Sequence, residues 1–201
     1  MTVLRTLGHG TATAEELVER LRAAAVDAVV DVRIAPGSRR HPQFGRDALA
    51  QWLPEAGVRY RWEKRLGGFR RLPPDSPDVA LRNESFRAYA AHMRSAEFAD
   101  AVAEVLAEAA TAGVAVMCSE TVWWRCHRRM IADFAVLARG VDVRHVMPGG
   151  RLGPHKPTDA ARLRDDGLLV YDVTGSAAPS TPSEGGSTPS SSSSSRSASS
   201  R

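Results

Sequence analysis

The sequence is poor in cysteine and contains no long apolar run. Two cysteines in 201 residues exclude a disulfide framework and a zinc module built on four cysteines. No run of about 18 apolar residues is present, so no membrane span is expected. The first ten residues, MTVLRTLGHG, lack the charged start and the apolar stretch of a secretory signal. These absences predict a soluble cytoplasmic protein.

Lysine is also scarce, and arginine supplies nearly all of the positive charge. Of the 27 basic residues, only Lys64 and Lys156 are lysines, and the formal net charge is +4. Guanidinium groups bind phosphates and carboxylates at two points, so this composition is compatible with an anionic partner. A genome rich in G and C gives the same arginine excess, and a few units of charge fall short of a DNA-binding stripe. A nucleic acid is therefore a weaker candidate partner than a small anionic ligand.

The end of the chain has a different composition from the rest. From about residue 176 to residue 201 it is rich in Ser, Thr, Pro and Gly, and apart from proline it has no apolar residue larger than alanine. Such a segment cannot bury enough surface to offset its chain entropy. We predict a disordered tail over 176–201 and a single folded domain over 1–175.

Short apolar segments alternate with amphipathic ones along the predicted domain. The spacing of apolar residues predicts helices after Thr13 and over 47–56, 85–94, 96–112 and 126–139. The runs rich in β-branched residues predict strands over 3–7, 28–32, 58–62, 114–117, 141–146 and 168–173. This alternation predicts a three-layer α/β fold, with a mostly parallel sheet covered by helices on both faces.

Chemically versatile side chains follow several of the predicted strands. Ligands bind at the carboxyl ends of parallel strands, where the loops lead into helices. If the strands are neighbours, the groups at their ends share one rim of the sheet. The residues at these positions are His9, Asp31, Arg33, Cys118, Glu120, Cys126, His127 and Arg128.

The two cysteines are candidate nucleophiles or redox thiols. A thiol near a helix start and near cationic side chains has a lowered pKa, which favours thiolate chemistry. Cys118 is the candidate nucleophile, Cys126 is assigned to the same catalytic group, and Glu120 and His127 are candidate proton carriers. The competing interpretation of Cys118 is that of a small buried hydrophobic residue.

The candidate substrate-binding residues are cationic or conformationally permissive. Arg33, Arg125 and Arg128 are predicted to clamp a phosphate or carboxylate, helped by the free N–H groups at the helix start, and Arg33 and Arg128 are the main candidates. Alternatively, Arg33 forms an internal ion pair with Asp31, and His9 satisfies a backbone group beside its two glycines. The pair Gly67–Gly68 fits no phosphate-loop pattern and indicates a tight turn or a close approach of the backbone.

Metal binding is a further interpretation of the same residues. Cys118, Cys126 and His127 supply three ligands, and His9 or Glu120 a fourth. However, the spacing of paired cysteines that is usual in zinc sites is absent, and adjacent Cys and His rarely bind one ion. A reversible disulfide between Cys118 and Cys126 is another interpretation. The spacing allows it, and the separation of the two Cα atoms decides whether it can form. The sequence therefore requires no cofactor.

Trp123 and Trp124 lie between the two cysteines and have two interpretations. They either pack over the end of the sheet, as tryptophans usually do, or form a stacking surface for a planar ligand such as a nucleobase.

Several segments of the sequence match one known family. They are Thr6-Leu7-Gly8-His9-Gly10, Val30-Asp31-Val32-Arg33 with Pro36 and Ser38, Tyr60 followed by Leu66-Gly67-Gly68, Arg82-Asn83-Glu84-Ser85-Phe86, and Met117-Cys118-Ser119-Glu120 followed by Cys126-His127-Arg128-Arg129. On these motifs the chain resembles the family called domain of unknown function 488 (DUF488), in its Cys-x-Glu and Cys-His-Arg subgroup, from about residue 3 to residue 147. Some members carry a proline before Cys-His-Arg, whereas this chain has Val-Trp-Trp-Arg. The resemblance implies an α/β fold and marks the same rim residues, but it implies no reaction.

The sequence thus favours a cytoplasmic enzyme with a cysteine-centred site for a small anionic or nucleotide-like substrate. One alternative is a non-catalytic module that binds a nucleic acid or a nucleotide through arginine-rich loops. The other alternative is a metal-sensing or redox-sensing protein.

Overall fold

A computed structural model describes residues 2–37 and 39–173 of the chain. Its main sheet has six strands: β1 (Val3–Gly8), β2 (Ala28–Asp31), β3 (Arg59–Trp62), β4 (Val114–Cys118), β5 (Asp142–Val146) and β6 (Leu152–Pro154). The strands lie in the order β3-β2-β4-β1-β5-β6, and every neighbouring pair except the antiparallel β5–β6 pair is parallel. This confirms the predicted α/β fold with a mostly parallel sheet.

Helices cover both faces of the sheet. They are α1 (Ala14–Ala23), α2 (Arg46–Glu55), α3 (Glu84–His92), α4 (Ala96–Ala109) and α5 (Arg128–Arg139). The apolar residues of α1 and α2 join one buried cluster, and those of α3, α4 and α5 join a second cluster. Strand β4 is buried along its whole length and contributes alternate residues to the two clusters, as its period of two requires. The predicted three layers are therefore present.

Local sequence signals set several of the element boundaries. Thr13 and Glu16 form a reciprocal capping box at the start of α1, and Gly140 ends α5 in the left-handed conformation. The helix predicted to start at Cys126 begins only at Arg128, because Trp123–Arg125 forms a 3₁₀ turn and Cys126 has an extended backbone. Cys126 therefore lies before α5 and not in its first turn.

The end of the described chain forms a second, small sheet that the sequence does not predict. Its strands are β7 (Ala161–Leu163) and β8 (Leu169–Tyr171), which pair antiparallel. The strand predicted over 168–173 is therefore present, but it pairs with β7 and not with the main sheet. The predicted domain boundary and tail, at 175 and 176–201, lie outside the described residues. No helix in the described part of the chain has both the length and the apolar character to cross a membrane.

A buried carboxylate on α5 fastens this small sheet to the domain. Asp133 accepts hydrogen bonds from Tyr171 Oη (2.9 Å), from Thr158 Oγ1 (2.8 Å) and N (2.9 Å), and from His155 Nε2 (2.9 Å). The side chains of Asp133 and His155 are fully buried. A carboxylate with this many donors is satisfied without contact with water.

The same network continues through a second histidine to β1. His155 Nδ1 lies 3.0 Å from His145 Nε2, within hydrogen-bond distance. His145 Nδ1 in turn lies 2.7 Å from the Thr6 hydroxyl oxygen. Burial and the neighbouring His155 lower the pKa of His145 to about 3, which keeps this ring neutral. Thr6, His145, His155 and Asp133 therefore form one continuous hydrogen-bonded chain.

We expect Asp133→Ala to destabilise the fold by about 3–5 kcal/mol, because the buried donors around it lose their acceptor. The measurement is urea unfolding followed by circular dichroism at pH 7. The control is Asp172→Ala at the exposed Arg162–Asp172 pair, which should lose no more than about 1 kcal/mol. Equal losses in the two variants would contradict this role for Asp133.

Candidate functional site

The ends of three neighbouring strands bring the candidate residues together. Strands β2, β4 and β1 are adjacent and end at Asp31, Cys118 and Gly8. Pairing continues past the last strand residue, since His9 N donates to Cys118 O at 3.1 Å. The loops that follow these strands therefore meet at one edge of the sheet.

A cleft of about 660 Å³ opens at this edge. The sequence-predicted residues that line it are His9, Arg33, Gly68, Cys118, Glu120, Cys126 and His127. Asp31, Gly67 and Arg128 do not line the cleft. Asp31 and Arg128 are buried behind it, and Gly67 packs closely on the backbone of Ile34.

The two thiols touch each other at the cleft. Cys118 is 3% exposed and Cys126 is 6% exposed, and their sulfur atoms are 2.7 Å apart. Both cysteines are free. This separation exceeds the ~2.04 Å of a disulfide bond, and one thiol donates its proton to the other sulfur. The two residues therefore act electrostatically as one dithiol.

Arg128 lies against this dithiol and is 1% exposed. Its Nε donates to Cys118 Sγ at 3.2 Å, and its Nη2 donates to the backbone carbonyl of Glu120. Burial alone would lower the pKa of Arg128, but the neighbouring charge of Cys118 and Cys126 raises it overall. The guanidinium is thus placed to stabilise a thiolate, whereas the sequence predicted that it holds a substrate anion.

The close approach of Arg128 and Glu120 depends on a glycine in β1. A Cβ atom added to Gly8 would lie 1.9 Å from the Glu120 carbonyl oxygen and 2.8 Å from Arg128 Nη2. Gly8 therefore leaves the space into which the loop after β4 folds.

The dithiol holds a single proton at neutral pH. The pKa of Cys126 is lowered to about 6, first because its thiolate accepts a hydrogen bond from the Cys118 thiol and then because Arg128 is close. That shared hydrogen bond and burial raise the pKa of Cys118 well above its ordinary value. Arg128 Nε and Glu120 N, at 3.2 and 3.4 Å, both point at Cys118 Sγ. The negative charge is therefore best assigned to the pair.

His127 presents a lone pair to the dithiol. Its Nε2 lies 3.0 Å from the Val32 carbonyl, so Nε2 carries the proton and Nδ1 is the acceptor. Nδ1 is 3.5 Å from Cys126 Sγ. Burial lowers the pKa of His127, which keeps the ring neutral. His127 can therefore receive a proton from the dithiol.

Arg33 is already paired within the protein. Its Nε and Nη2 bind the two carboxylate oxygens of Asp31 at 2.8 and 2.6 Å, and Nη2 also donates to Phe44 O at 2.8 Å. The remaining Nη1 lies 3.3 Å from His9 Nε2. His9 Nδ1 donates to Gly10 O at 2.9 Å, and burial together with Arg33 lowers the pKa of His9 to about 4. The ion-pair interpretation of Arg33 and Asp31 thus describes the structure.

Sequence reasoning missed much of the wall and mouth of the cleft. Arg40 and Phe69 come from loops, and Ser85, Phe86 and Tyr89 come from α3. Arg125, by contrast, is an arginine that the sequence predicts as part of the anion clamp, and it is exposed at the mouth. The ring of Phe69 is 91% exposed. The sequence places these residues in the loops and the helix that follow the strand ends. That position predicts the region of the cleft but not which side chains line it.

The tryptophans between the cysteines do not line the cleft. Trp123 stacks on His145, with ring centroids 3.9 Å apart and an interplanar angle of 9°. The packing interpretation is therefore correct for Trp123. Trp124 is half exposed, at 50%, and contacts Trp123 edge to face.

Cys118, Cys126 and His127 are also the residues to test for a metal site. Their ligand atoms all lie within 4.8 Å of one another. Tetrahedral zinc with Zn–S bonds of about 2.3 Å holds its sulfur ligands about 3.8 Å apart, whereas these sulfurs are 2.7 Å apart. The buried guanidinium of Arg128 also occupies one side of Cys118 with positive charge. The positive charge of Arg128 beside Cys118 disfavours a bound cation there.

The fold and the cleft define a three-layer α/β protein with a buried dithiol at the carboxyl edge of its sheet. The family model for DUF488, a domain of unknown function, matches residues 13–135. The chain belongs to the DUF488 family. The match includes both cysteines and Arg128 and begins after His9. No curated protein and no solved structure matches the chain.

We expect Gly8→Ala to destabilise the protein by about 1–3 kcal/mol, because the new Cβ displaces the Glu120 carbonyl and its bond to Arg128. The matched control is Gly37→Ala, where a Cβ meets nothing within 4 Å and the change should stay within about 0.5 kcal/mol. Urea unfolding measures both variants. A Gly8→Ala protein as stable as Gly37→Ala would show that the loop has room to move.

Proposed function

We propose that the protein is a cysteine-dependent enzyme that acts on a small anionic or nucleotide-like substrate in the cleft. One observation carries the proposal: two sulfur atoms 2.7 Å apart line an open cleft while a buried guanidinium donates to one of them. A thiolate stabilised in this way is available for nucleophilic attack at neutral pH.

Cys126 is the better candidate for the attacking sulfur. It is the more exposed of the two thiols, it lies just before α5, and His127 Nδ1 is within 3.5 Å. Cys118, which the sequence favoured, is held by donors from Arg128 and from the Glu120 backbone. We therefore assign attack to Cys126 and stabilisation of its charge to Cys118 and Arg128.

Proton transfer is assigned to the two remaining candidates. The neutral His127 accepts a proton from a thiol through Nδ1. The carboxylate of Glu120 belongs to an exposed residue that lines the cleft, and it can exchange protons between a bound substrate and water.

The charge at the mouth of the cleft favours an anionic substrate. Arg40 and Arg125 are exposed there, whereas Arg33 is neutralised by Asp31. Exposed guanidinium groups bind carboxylate or phosphate at two points. Substrate binding is therefore assigned to Arg40 and Arg125, and Arg33 is assigned to holding His9 in place.

We expect the rate of alkylation of Cys126 by iodoacetamide to reach half its maximum near pH 6. The thiolate is the reactive form and its fraction rises with pH, so a lowered pKa moves the rate profile to lower pH. The measurement is the rate of mass gain at Cys126 from pH 4.5 to pH 9, read by mass spectrometry of the digested protein. Chelator is present throughout, so that a bound metal cannot mask the thiol.

The same protein unfolded in urea is the matched control, and its thiols should titrate near the ordinary value of about 8.5. Arg128→Met should move the profile of the folded protein toward higher pH. A midpoint near pH 8.5 in the folded wild type would contradict the proposed function.

A further inference from the structure

We infer that the cleft carries out thiol–disulfide exchange on small anionic disulfides, with Cys126 attacking and Cys118 completing the reaction. This inference rests on the proposed function, because it needs a reactive Cys126 thiolate in the cleft. It adds the class of reaction, the role of the second cysteine and the class of substrate.

The placement of the second sulfur carries the inference. A thiol in contact with the nucleophile can do more than stabilise its charge, because it can also close a disulfide bond with it. Here Cys118 Sγ is 2.7 Å from Cys126 Sγ, so a small approach of the two side chains reaches the ~2.04 Å of a disulfide bond. Cys118 is also the less exposed residue of the two, as suits a thiol that reacts only with its neighbour.

The reaction balances in two steps. The Cys126 thiolate attacks one sulfur of the substrate disulfide, forms a mixed disulfide and releases one substrate thiolate. Cys118, which lines the open cleft, then gives its proton to water and attacks Cys126 Sγ, which forms the Cys118–Cys126 disulfide and releases the second thiolate. The substrate gains two electrons and the protein dithiol loses two. A low-molecular-weight thiol is the reductant that returns the protein to its starting state.

Arg128 biases this cycle toward the reduced protein. The guanidinium is buried and donates to Cys118 Sγ at 3.2 Å, so its charge is balanced while the dithiol is singly ionised. Forming the disulfide removes that negative charge and leaves the buried cation without a compensating charge, which is costly. Stabilising the reduced form makes a disulfide more oxidising. A low-molecular-weight thiol should therefore reduce the protein disulfide readily.

The mouth of the cleft selects the substrate. Arg40 and Arg125 supply exposed positive charge there. Phe69 adds an aromatic ring that is 91% exposed and whose backbone has φ of +57°. This left-handed conformation is uncommon for a bulky residue, and such backbone outliers cluster at ligand-binding sites. An anionic disulfide with flat substituents fits both features.

The test uses 5,5′-dithiobis(2-nitrobenzoate), an anionic aromatic disulfide whose released thiol absorbs visible light. The reduced full chain is mixed with excess probe under nitrogen, and released thiol and protein mass are followed together. We expect wild type to release two thiols per chain and to end lighter by two hydrogen atoms, with the Cys118–Cys126 disulfide in its digest. Cys118→Ser and Cys118→Ala should each release one thiol and keep a stable adduct on Cys126.

Charge selectivity is tested with cystamine, a cationic disulfide. We expect wild type to react with the anionic probe at least tenfold faster than with cystamine, after correction for the rates of a free thiol. Arg125→Gln should lower this preference about two- to fivefold. The matched control is Arg22→Gln, on the exposed surface of α1, which should leave the preference unchanged.

The outcomes separate the inference from the proposed function. A wild-type protein that alkylates with its midpoint near pH 6 but keeps a mixed disulfide overturns the inference and leaves the proposed function standing. If alkylation of the folded protein has its midpoint near the ordinary value of about pH 8.5 and the probe thiol is released slowly, both the inference and the proposed function are overturned. A stable adduct in Cys126→Ser and none in the Cys118 variants contradicts the roles assigned to the two sulfurs.

Discussion

The contact between the Arg128 guanidinium and the dithiol is the interaction on which the rest of the site depends. A buried cation is tolerated only beside negative charge and with its donors satisfied. Arg128 meets both conditions by donating to Cys118 Sγ and to the Glu120 carbonyl. This requirement draws α5, the end of β4 and the loop after it into one place, and it explains why β1 ends in a residue without a side chain. The same requirement makes one thiolate the favourable state of the pair.

Two polar networks hold the surroundings of this contact in position. On one side, Asp31 fixes Arg33, which in turn contacts His9. On the other side, the network that ends at Asp133 holds His145, on which Trp123 stacks. Trp123 belongs to the loop between the two cysteines, so the packing of its ring helps to set where Cys126 lies. The dithiol is therefore placed by rigid neighbours and not by the loop alone, which is what a preorganised site requires.

The features of the site that follow from strand order are predictable from the sequence, whereas those that depend on side-chain direction are not. The rule that ligands bind at the carboxyl ends of parallel strands predicts that His9, Cys118 and Arg33 meet at one edge. Sequence spacing does not show that the 3₁₀ turn at Trp123–Arg125 returns Cys126 to Cys118. Nor does it show that Arg128 points at the sulfurs, because a helix start leaves its side chains free to face either the cleft or the core.

The sequence also fails to predict the cleft residues that lie in loops and the strand pairing near the end of the described chain. Arg40 and Phe69 lie in irregular segments whose course depends on contacts distant in sequence, so no periodic pattern marks them. Strand β7 is three residues long, too short for alternation to be visible, and its pairing with β8 depends on the buried acceptor Asp133 on α5. The alternation of strands and helices is sufficient to predict the three layers, because the apolar pattern of each layer repeats over many residues.

Titration of thiolate absorbance near 240 nm tests the central claim most directly, since it counts ionised sulfurs without a chemical probe. The wild-type protein should gain one thiolate per chain around pH 6 and the second only well above the pH at which an ordinary thiol ionises, and Arg128→Met should move the first step toward higher pH. A protein that shows no thiolate at pH 7, and two that appear together near pH 8.5, would contradict the account.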